Sequence, residues 1–329
     1  MADVAPAGGP IAALRRLWRG RRPSAAVLVY HRVARAAWDP FGQAVDPATF
    51  ERQLEIARRF GSVLSAPELA GRLARGESIA RTITVTFDDG YVDNLTTAAP
   101  IAARLDVPIT VFVAMEPVLD GTPFWWDQLA VAVLRADGAS PEHREIAIGG
   151  DPPLPLRTSE ERQDALQRLH AVMRRSSAGR RAAMLREIVA QLDGSSTDDS
   201  GRPMTADELR RLAALPGVHV GSHTMTHPSL AALDVEEQRA EMAESRQALE
   251  RLLGAPARLM AYPFGKDGDV SAATRAASRS AGFDAAFTTM PFAVGMDADP
   301  FAIPRLTVHE WTADVFTQKL ASLVGPPLR

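Results

Sequence analysis

A short β-branched run meets two acids and a glycine in the stretch Ile83-Thr84-Val85-Thr86-Phe87-Asp88-Asp89-Gly90-Tyr91. A strand holds its last residues rigidly, and a following glycine lets the backbone turn away, so both carboxylates should point into open space. Two acids this close repel each other unless one binds a cation and the other stands ready to take a proton. Asp88 and Asp89 therefore predict a metal site with further ligands elsewhere in the chain.

The further ligands are predicted in the stretch Ser222-His223-Thr224-Met225-Thr226-His227-Pro228, which follows an apolar run at 218–221. On one helical turn, residues i and i+4 face the same way, so the imidazoles of His223 and His227 would reach one ion. With Asp89 as the third ligand, a four-coordinate ion would keep one coordination position open, as catalytic sites do. Taken singly, an Asp-Asp pair is usually a solvated turn and such histidines usually lie on the surface. Their position after apolar strands favours the functional interpretation.

The chain alternates predicted strands with predicted helices. Two more apolar segments, 258–262 and 301–308, run into Pro263-Phe264-Gly265 and into His309-Glu310-Trp311. Strands that alternate with helices close most simply into an α/β barrel, and the reactive residues of such a barrel gather at the carboxyl ends of its strands.

The order of these motifs resembles that of the polysaccharide deacetylases, carbohydrate esterase family four. The likeness is carried by Thr86 to Tyr91, Ser222 to His227 and Pro263 to Gly265, and the segment from Val27 to Val33 is similar to the first strand of many bacterial members. It covers roughly residues 25 to 118 and 203 to 310. The resemblance implies an irregular (β/α)7 barrel that removes acetyl groups from N-acetylated sugars with a divalent metal, Zn²⁺ being the first candidate.

The resemblance also implies roles for single residues. By the family pattern Asp88 is the general base, Asp89, His223 and His227 hold the metal, and the backbone N–H of Phe264 helps to hold the oxyanion. The physical interpretation agrees, because a metal ion lowers the pKa of water and polarises the acetamide carbonyl. A carboxylate beside the ion can then take a proton from the attacking water, while a backbone donor supports the oxyanion.

Two departures from the family pattern affect the site. Family members often carry an arginine two residues before the proline of the third motif, where it orients the base, but this chain has Ala261 there. We predict that Arg305 replaces it; the alternative is a surface or barrel-rim arginine. The family also tends to end with a leucine-rich strand and a histidine that protonates the leaving amine. The outline of Leu306 to His309 predicts His309 as this general acid, the alternative being a rim histidine.

The predicted organisation is a flexible basic arm at 1–24 and a deacetylase-like barrel at 25–329, interrupted by a helical insertion at about 119–202. The insertion starts with Phe124-Trp125-Trp126-Asp127, continues as amphipathic helices, and could wall a substrate groove. Trp125 and Trp126 could stack on sugar rings, but a core position is favoured. Because no predicted ligand lies at about 152–200, we expect a deletion of that part to leave the metal site intact and to raise the KM for long substrates more than for short ones.

The arm carries five arginines among residues 11–22. It is not a signal peptide, since no apolar core follows a basic start. A weak contact with an anionic membrane surface or a partner is one interpretation, and a solvated arm is the favoured one.

The amino-acid composition limits the possible classes of function. The chain has 329 residues, a net charge of −3, 46% hydrophobic residues and no cysteine. A full core is possible, disulfides and thiolate metal sites are excluded, and a cytoplasmic enzyme fits. No run of eighteen apolar residues predicts a membrane span, and the negative net charge argues against nucleic-acid binding.

The sequence thus predicts a metal-dependent hydrolase that removes N-acetyl groups from a bacterial polysaccharide, oligosaccharide or sugar precursor. Two alternatives stay open: an amidohydrolase for a small non-sugar amide, and a non-catalytic glycan-binding relative, prompted by Ala261.

Overall fold

The computed structural model describes residues 24–36, 38–135, 145–148, 152–192 and 201–328. Residues 1–23 of the predicted arm lie outside these ranges. Within the described ranges, no helix is both long enough and apolar enough to cross a bilayer.

Short strands separated by helices make up the fold. In chain order the strands are β1 Ala25–Tyr30, β2 Arg32–Val33, β3 Ala44–Val45, β4 Ser62–Val63, β5 Thr82–Phe87, β6 Ile109–Val113, β7 Glu145–Ile146, β8 Leu154–Pro155, β9 Val218–Ser222, β10 Leu259–Ala261, β11 Ala285–Phe287 and β12 Leu306–Thr307. Seven of them pair in parallel in the order β11-β10-β9-β6-β5-β1-β12. This curled sheet confirms the predicted irregular (β/α)7 barrel.

The helices surround the sheet and fill the predicted insertion. They are α1 Pro47–Arg58, α2 Ala66–Arg75, α3 Ala99–Arg104, α4 Met115–Asp120, α5 Trp125–Leu134, α6 Ser159–Met173, α7 Ala178–Leu192, α8 Ala206–Ala213, α9 Val235–Leu253, α10 Ala272–Ser280 and α11 Ala313–Val324. Helices α8 and α9 begin with capping boxes, formed by Thr205 with Glu208 and by Asp234 with Glu237.

The segment before and within β12 closes the barrel. Ala286 N donates to Pro300 O at 2.8 Å and Thr288 N donates to Ile303 O at 2.9 Å, which ties this segment to β11. Three residues after Ile303, β12 pairs with β1, with Leu306 opposite Leu28. The predicted strand at 301–308 is therefore split between two neighbours. Pro304, which has no N–H to donate, stands where the pairing changes sides.

Helices α5, α6 and α7 pack on one another around an apolar cluster of their own. The predicted amphipathic helices are found: Leu166, Leu169 and Met173 of α6 and Leu185, Ile188 and Leu192 of α7 are buried in this cluster, and Val189 is partly buried against it. Trp125 and Trp126 are 9% and 3% exposed, so the favoured core position is also confirmed.

Candidate metal centre and active site

The two acids follow β5 at the carboxyl end of the sheet. Asp88 and Asp89 are each 2% exposed, and Asp88 N donates to Tyr30 O at 3.0 Å. Asp89 has φ 72°, and Gly90 continues the turn with φ 94°. A Cβ on Gly90 would lie 2.9 Å from Cγ1 of Val113, so both the conformation and the space require glycine there. Asp89 thus has a left-handed backbone conformation, which a residue other than glycine keeps only where its surroundings hold it.

The two histidines lie on a loop, so the predicted helical turn is wrong. β9 ends at Ser222, and Thr224 and His227 have φ values of 67° and 60°, which no right-handed helix contains. His227 N donates to the side-chain oxygen of Thr224 at 3.1 Å instead of to a helical carbonyl. The loop still brings the imidazoles of His223 and His227 together, with ring centroids 4.8 Å apart.

Asp89, His223 and His227 form a compact set of possible ligands. Their ligand atoms all lie within 4.8 Å of one another. Asp89 Oδ1 is 3.6 Å from Nε2 of His223 and 3.3 Å from Nε2 of His227. His223 Nδ1 lies 2.8 Å from Ala261 O, and since a carbonyl only accepts, Nδ1 carries the proton and Nε2 keeps a lone pair that could bind a cation.

The electrostatics of this set fit a divalent cation. Burial lowers the pKa of His223, and it lowers that of His227 to about 3, so both imidazoles are neutral, as ligands must be. Burial raises the pKa of Asp89, so the ionised form of this carboxyl group is disfavoured without a nearby cation. Two neutral imidazoles and one carboxylate, all buried, are a donor set that suits zinc.

Asp88 is held by Arg305 in a buried, two-pronged ion pair. Nη1 donates to Oδ1 and Nη2 donates to Oδ2, both at 2.7 Å. Arg305 is fully buried and its Nε donates to Thr288 O at 2.9 Å. Burial by itself would raise the pKa of Asp88, but the charge of Arg305, followed by that of His223, lowers it to about 2. Asp88 is therefore an ionised, oriented carboxylate with Oδ2 3.8 Å from Nε2 of His223.

The third motif turns sharply beside the histidines. Phe264 and Gly265 have φ values of 60° and 62°, and a Cβ on Gly265 would lie 2.8 Å from Thr289 N. The Phe264 ring lies 4.9 Å from that of His227. The Phe264 peptide therefore neighbours the metal set, and its role toward an oxyanion stays a prediction.

Comparison with known proteins shows which family part of this chain resembles. Residues 183–286 match the family model described as polysaccharide deacetylase, a span that includes both histidines and the third motif. This part of the chain is similar to the polysaccharide deacetylase family. It is 27% identical over 105 residues to YxkH of Bacillus subtilis (strain 168), a polysaccharide deacetylase by name. That match spans 32% of this chain and 36% of YxkH, about a third of each protein.

Solved structures share the fold of this chain. A deacetylase of Streptococcus pyogenes, PplD in complex with acetate, superposes with a TM-score of 0.59 at 16% identity, covering 91% of this chain and 99% of PplD. IcaB from Ammonifex degensii superposes with a TM-score of 0.56 at 18% identity, covering 92% and 97%. At these identities the likeness shows the fold.

The histidine assigned by the family pattern to the leaving amine lies at the rim of the barrel. His309 is exposed, and its Nδ1 lies 3.0 Å from Gly42 O. Its ring neighbours that of Trp311, with centroids 5.6 Å apart. Its catalytic role stays a prediction.

A second histidine, missed from the sequence, lies nearer to the acids. His31 is half-buried and follows β1, and its charge lowers the pKa values of both Asp88 and Asp89. The sequence contained a signal, because His31 and Asp88 each directly follow an apolar predicted strand. In the structure Tyr30 pairs with Phe87, the residues directly before His31 and Asp88. The carboxyl ends of neighbouring parallel strands meet at one edge.

Asp127 is another polar group beside the site that the sequence did not reveal. Tyr91 donates its hydroxyl hydrogen to Asp127 Oδ2 at 2.9 Å, and Trp126 Nε1 donates to the Tyr91 oxygen at 2.8 Å. Burial raises the pKa of Asp127 to about 7. The Trp126 ring lies 4.4 Å from that of His227, which links this polar chain to the metal set.

The insertion contacts the histidine loop, whereas the expected effect of deleting residues 152–200 stays a prediction. Trp126 of α5 contacts His227. Ser229, two residues after His227, donates its N–H to Arg174 O at 2.7 Å. Arg181 of α7 donates to Thr226. The histidine loop is thus enclosed between the barrel and the insertion, a packing that no periodicity in the sequence indicates.

Proposed function

We propose that this protein is a metal-dependent carbohydrate N-deacetylase, a hydrolase of linear amide C–N bonds. The substrate would be an N-acetylated bacterial polysaccharide, oligosaccharide or sugar precursor, and the metal Zn²⁺. The observation that supports this most is a buried Asp89, His223 and His227 set beside a carboxylate, Asp88, that Arg305 orients.

In the proposed mechanism each residue has one task. Asp89, His223 and His227 would hold a divalent cation, which when bound would polarise the amide carbonyl and lower the pKa of water. Asp88 would accept a proton from the attacking water, and the Phe264 N–H would donate to the developing oxyanion. The C–N bond then breaks, giving acetate and an amine that takes a proton from a histidine.

The function is tested by acetate release from a panel of N-acetylated glycans, run beside a panel of cyclic amides, with zinc-loaded protein. Acetate from the glycans supports the proposal. Turnover of the cyclic amides alone would favour the small-amide hydrolase. Retained metal without turnover of either panel would favour a non-catalytic relative that binds glycans.

Asp88→Asn is expected to keep its full metal content and to lose on the order of 10²-fold or more in kcat, because the amide cannot accept the proton. Metal analysis and kcat on the same preparation check this. Loss of the metal together with activity would mean that Asp88 is a ligand and that the roles of the two acids are misassigned.

His31→Gln and His309→Gln separate the two candidates for the proton donor. We expect the larger kcat loss on amides for His31→Gln, because His31 neighbours both acids whereas His309 faces Gly42. The loss should shrink on an activated acetyl ester, whose leaving group needs no proton. If His309→Gln alone shows this amide-selective loss, the assignment by the family pattern is the correct one.

Two statements about cellular context remain predictions from the sequence. The lack of cysteine fits a cytoplasmic site of action without deciding it, and a weak membrane-surface contact would involve the basic arm at 1–24. Cell fractionation of the full-length protein, with and without residues 1–23, tests both.

A further inference from the structure

The loop between the two histidine ligands is held from the barrel side by one carboxylate. Glu241 of α9 accepts from Met225 N and Thr226 N through Oε2, both at 2.9 Å. Thr226 Oγ1 donates to Oε1 of the same carboxylate at 2.5 Å. These three bonds fix residues 225 and 226 from one side.

From the other side the loop is held by a buried arginine of the insertion. Arg181 Nη2 donates to both the carbonyl oxygen and Oγ1 of Thr226, each at 2.7 Å. Its Nη1 donates to Ser176 O at 3.3 Å, and its guanidinium lies 5.2 Å from the Trp125 ring centroid. Arg181 is only 3% exposed, and a buried guanidinium is retained where such bonds replace its hydration.

Thr226 is the residue directly before the ligand His227. His227 itself has φ 60°, a conformation that a non-glycine residue keeps only when its surroundings hold it there. The carbonyl that Arg181 binds belongs to the peptide that leads into His227. The direction of the His227 imidazole therefore depends on a bond from outside the barrel.

We propose that Arg181 is a positioning residue for the metal ligand His227. Helix α7 of the insertion would thereby contribute to metal affinity. The proposal rests on the proposed function only in taking Asp89, His223 and His227 as metal ligands. Groups that orient ligands usually matter for metal affinity by about 10- to 100-fold.

The experiment measures zinc affinity of the full-length protein by competition with a chromophoric chelator, without substrate. Arg181→Met keeps the apolar stem and removes the donors, so we expect affinity to fall by about 10- to 100-fold. Arg181→Lys should restore part of it, because one nitrogen, Nη2, makes both bonds to Thr226 and an ammonium has three donors. Arg180→Met, at the exposed neighbouring position on α7, is the matched control and should bind like wild type.

Thr226→Val keeps the proposal testable if Arg181→Met does not fold. It is nearly isosteric and removes the hydroxyl that both Arg181 and Glu241 bind, so weaker zinc binding is expected there too. Folded Arg181→Met and Thr226→Val variants with wild-type affinity would overturn the positioning role. A wild type that binds no zinc would instead refute the metal set of the proposed function.

Discussion

Asp89→Ala is expected to bind no stoichiometric zinc and to lose on the order of 10³-fold or more in kcat, since a metal supplies several kcal/mol of transition-state stabilisation. Asp89 is the one anion in the ligand set, and each imidazole there is neutral. Its removal therefore takes away the charge that compensates a divalent cation as well as a ligand atom. Metal content and acetate release from the same preparation measure both effects.

Asp284→Ala is the control for this variant. Asp284 precedes β11, at the amino end of a barrel strand, and pairs on the surface with Arg258 at 3.1 Å. Its loss should leave both metal content and turnover unchanged. If Asp89→Ala kept its full metal content and turnover, Asp89 would be excluded as a metal ligand.

Arg305→Ala is expected to lower the free energy of unfolding by about 3 to 5 kcal/mol, the usual cost of leaving one partner of a buried ion pair alone. Arg305 and Asp88 are 0% and 2% exposed, so water screens the pair very little. Turnover should also fall strongly with metal retained, because Asp88 loses the fork that orients it. Arg305→Lys should restore little of the lost turnover, since a point charge does not fix the orientation of a carboxylate. Denaturant unfolding and kcat at saturating zinc measure the two effects.

The double variant Arg305→Met with Asp88→Asn separates stability from catalysis. It replaces both charges, so we expect it to recover much of the lost stability while staying inactive. If Arg305→Ala has wild-type stability and turnover, Arg305 neither compensates for Ala261 nor supports the fold.

The Asp88 pair also predicts a pH dependence of stability. The folded pKa of Asp88, about 2, lies below the value of about 3.9 for an unfolded aspartate. A depressed pKa gives a contribution that is fully present above the unfolded pKa and is lost as the pH falls through the folded pKa. Wild type should therefore lose stability between about pH 4 and pH 2, and Arg305→Ala should lack this part of the loss.

The sequence could predict those parts of the site that depend on strands. Asp88 and Asp89 follow a β-branched run, and the rule that barrel strands present their carboxyl ends on one face was enough to connect them with the histidines. The same rule applied to β1 would have found His31. Arg305 was predicted because Ala261 left the base without a partner, although the contact spans 217 residues and depends on barrel closure.

The remaining features depend on tertiary contacts with no local signal. The histidine loop takes its shape from Thr224, Glu241 and Arg181, so the predicted helical turn was wrong although His223 and His227 do lie together. Asp127 belongs to the site only because α5 packs Trp126 on His227. Apolar periodicity predicted which faces of the insertion are buried, but not which surface they cover.

The most direct test of the account is acetate release from N-acetylglucosamine oligomers by the full-length protein in three states: zinc-loaded, chelated, and chelated then reloaded. We expect the loaded and reloaded protein to release acetate and free amine in equal amounts, and the chelated protein to release neither. A chelated protein shown by metal analysis to be free of metal, yet releasing acetate at the loaded rate, would contradict the account.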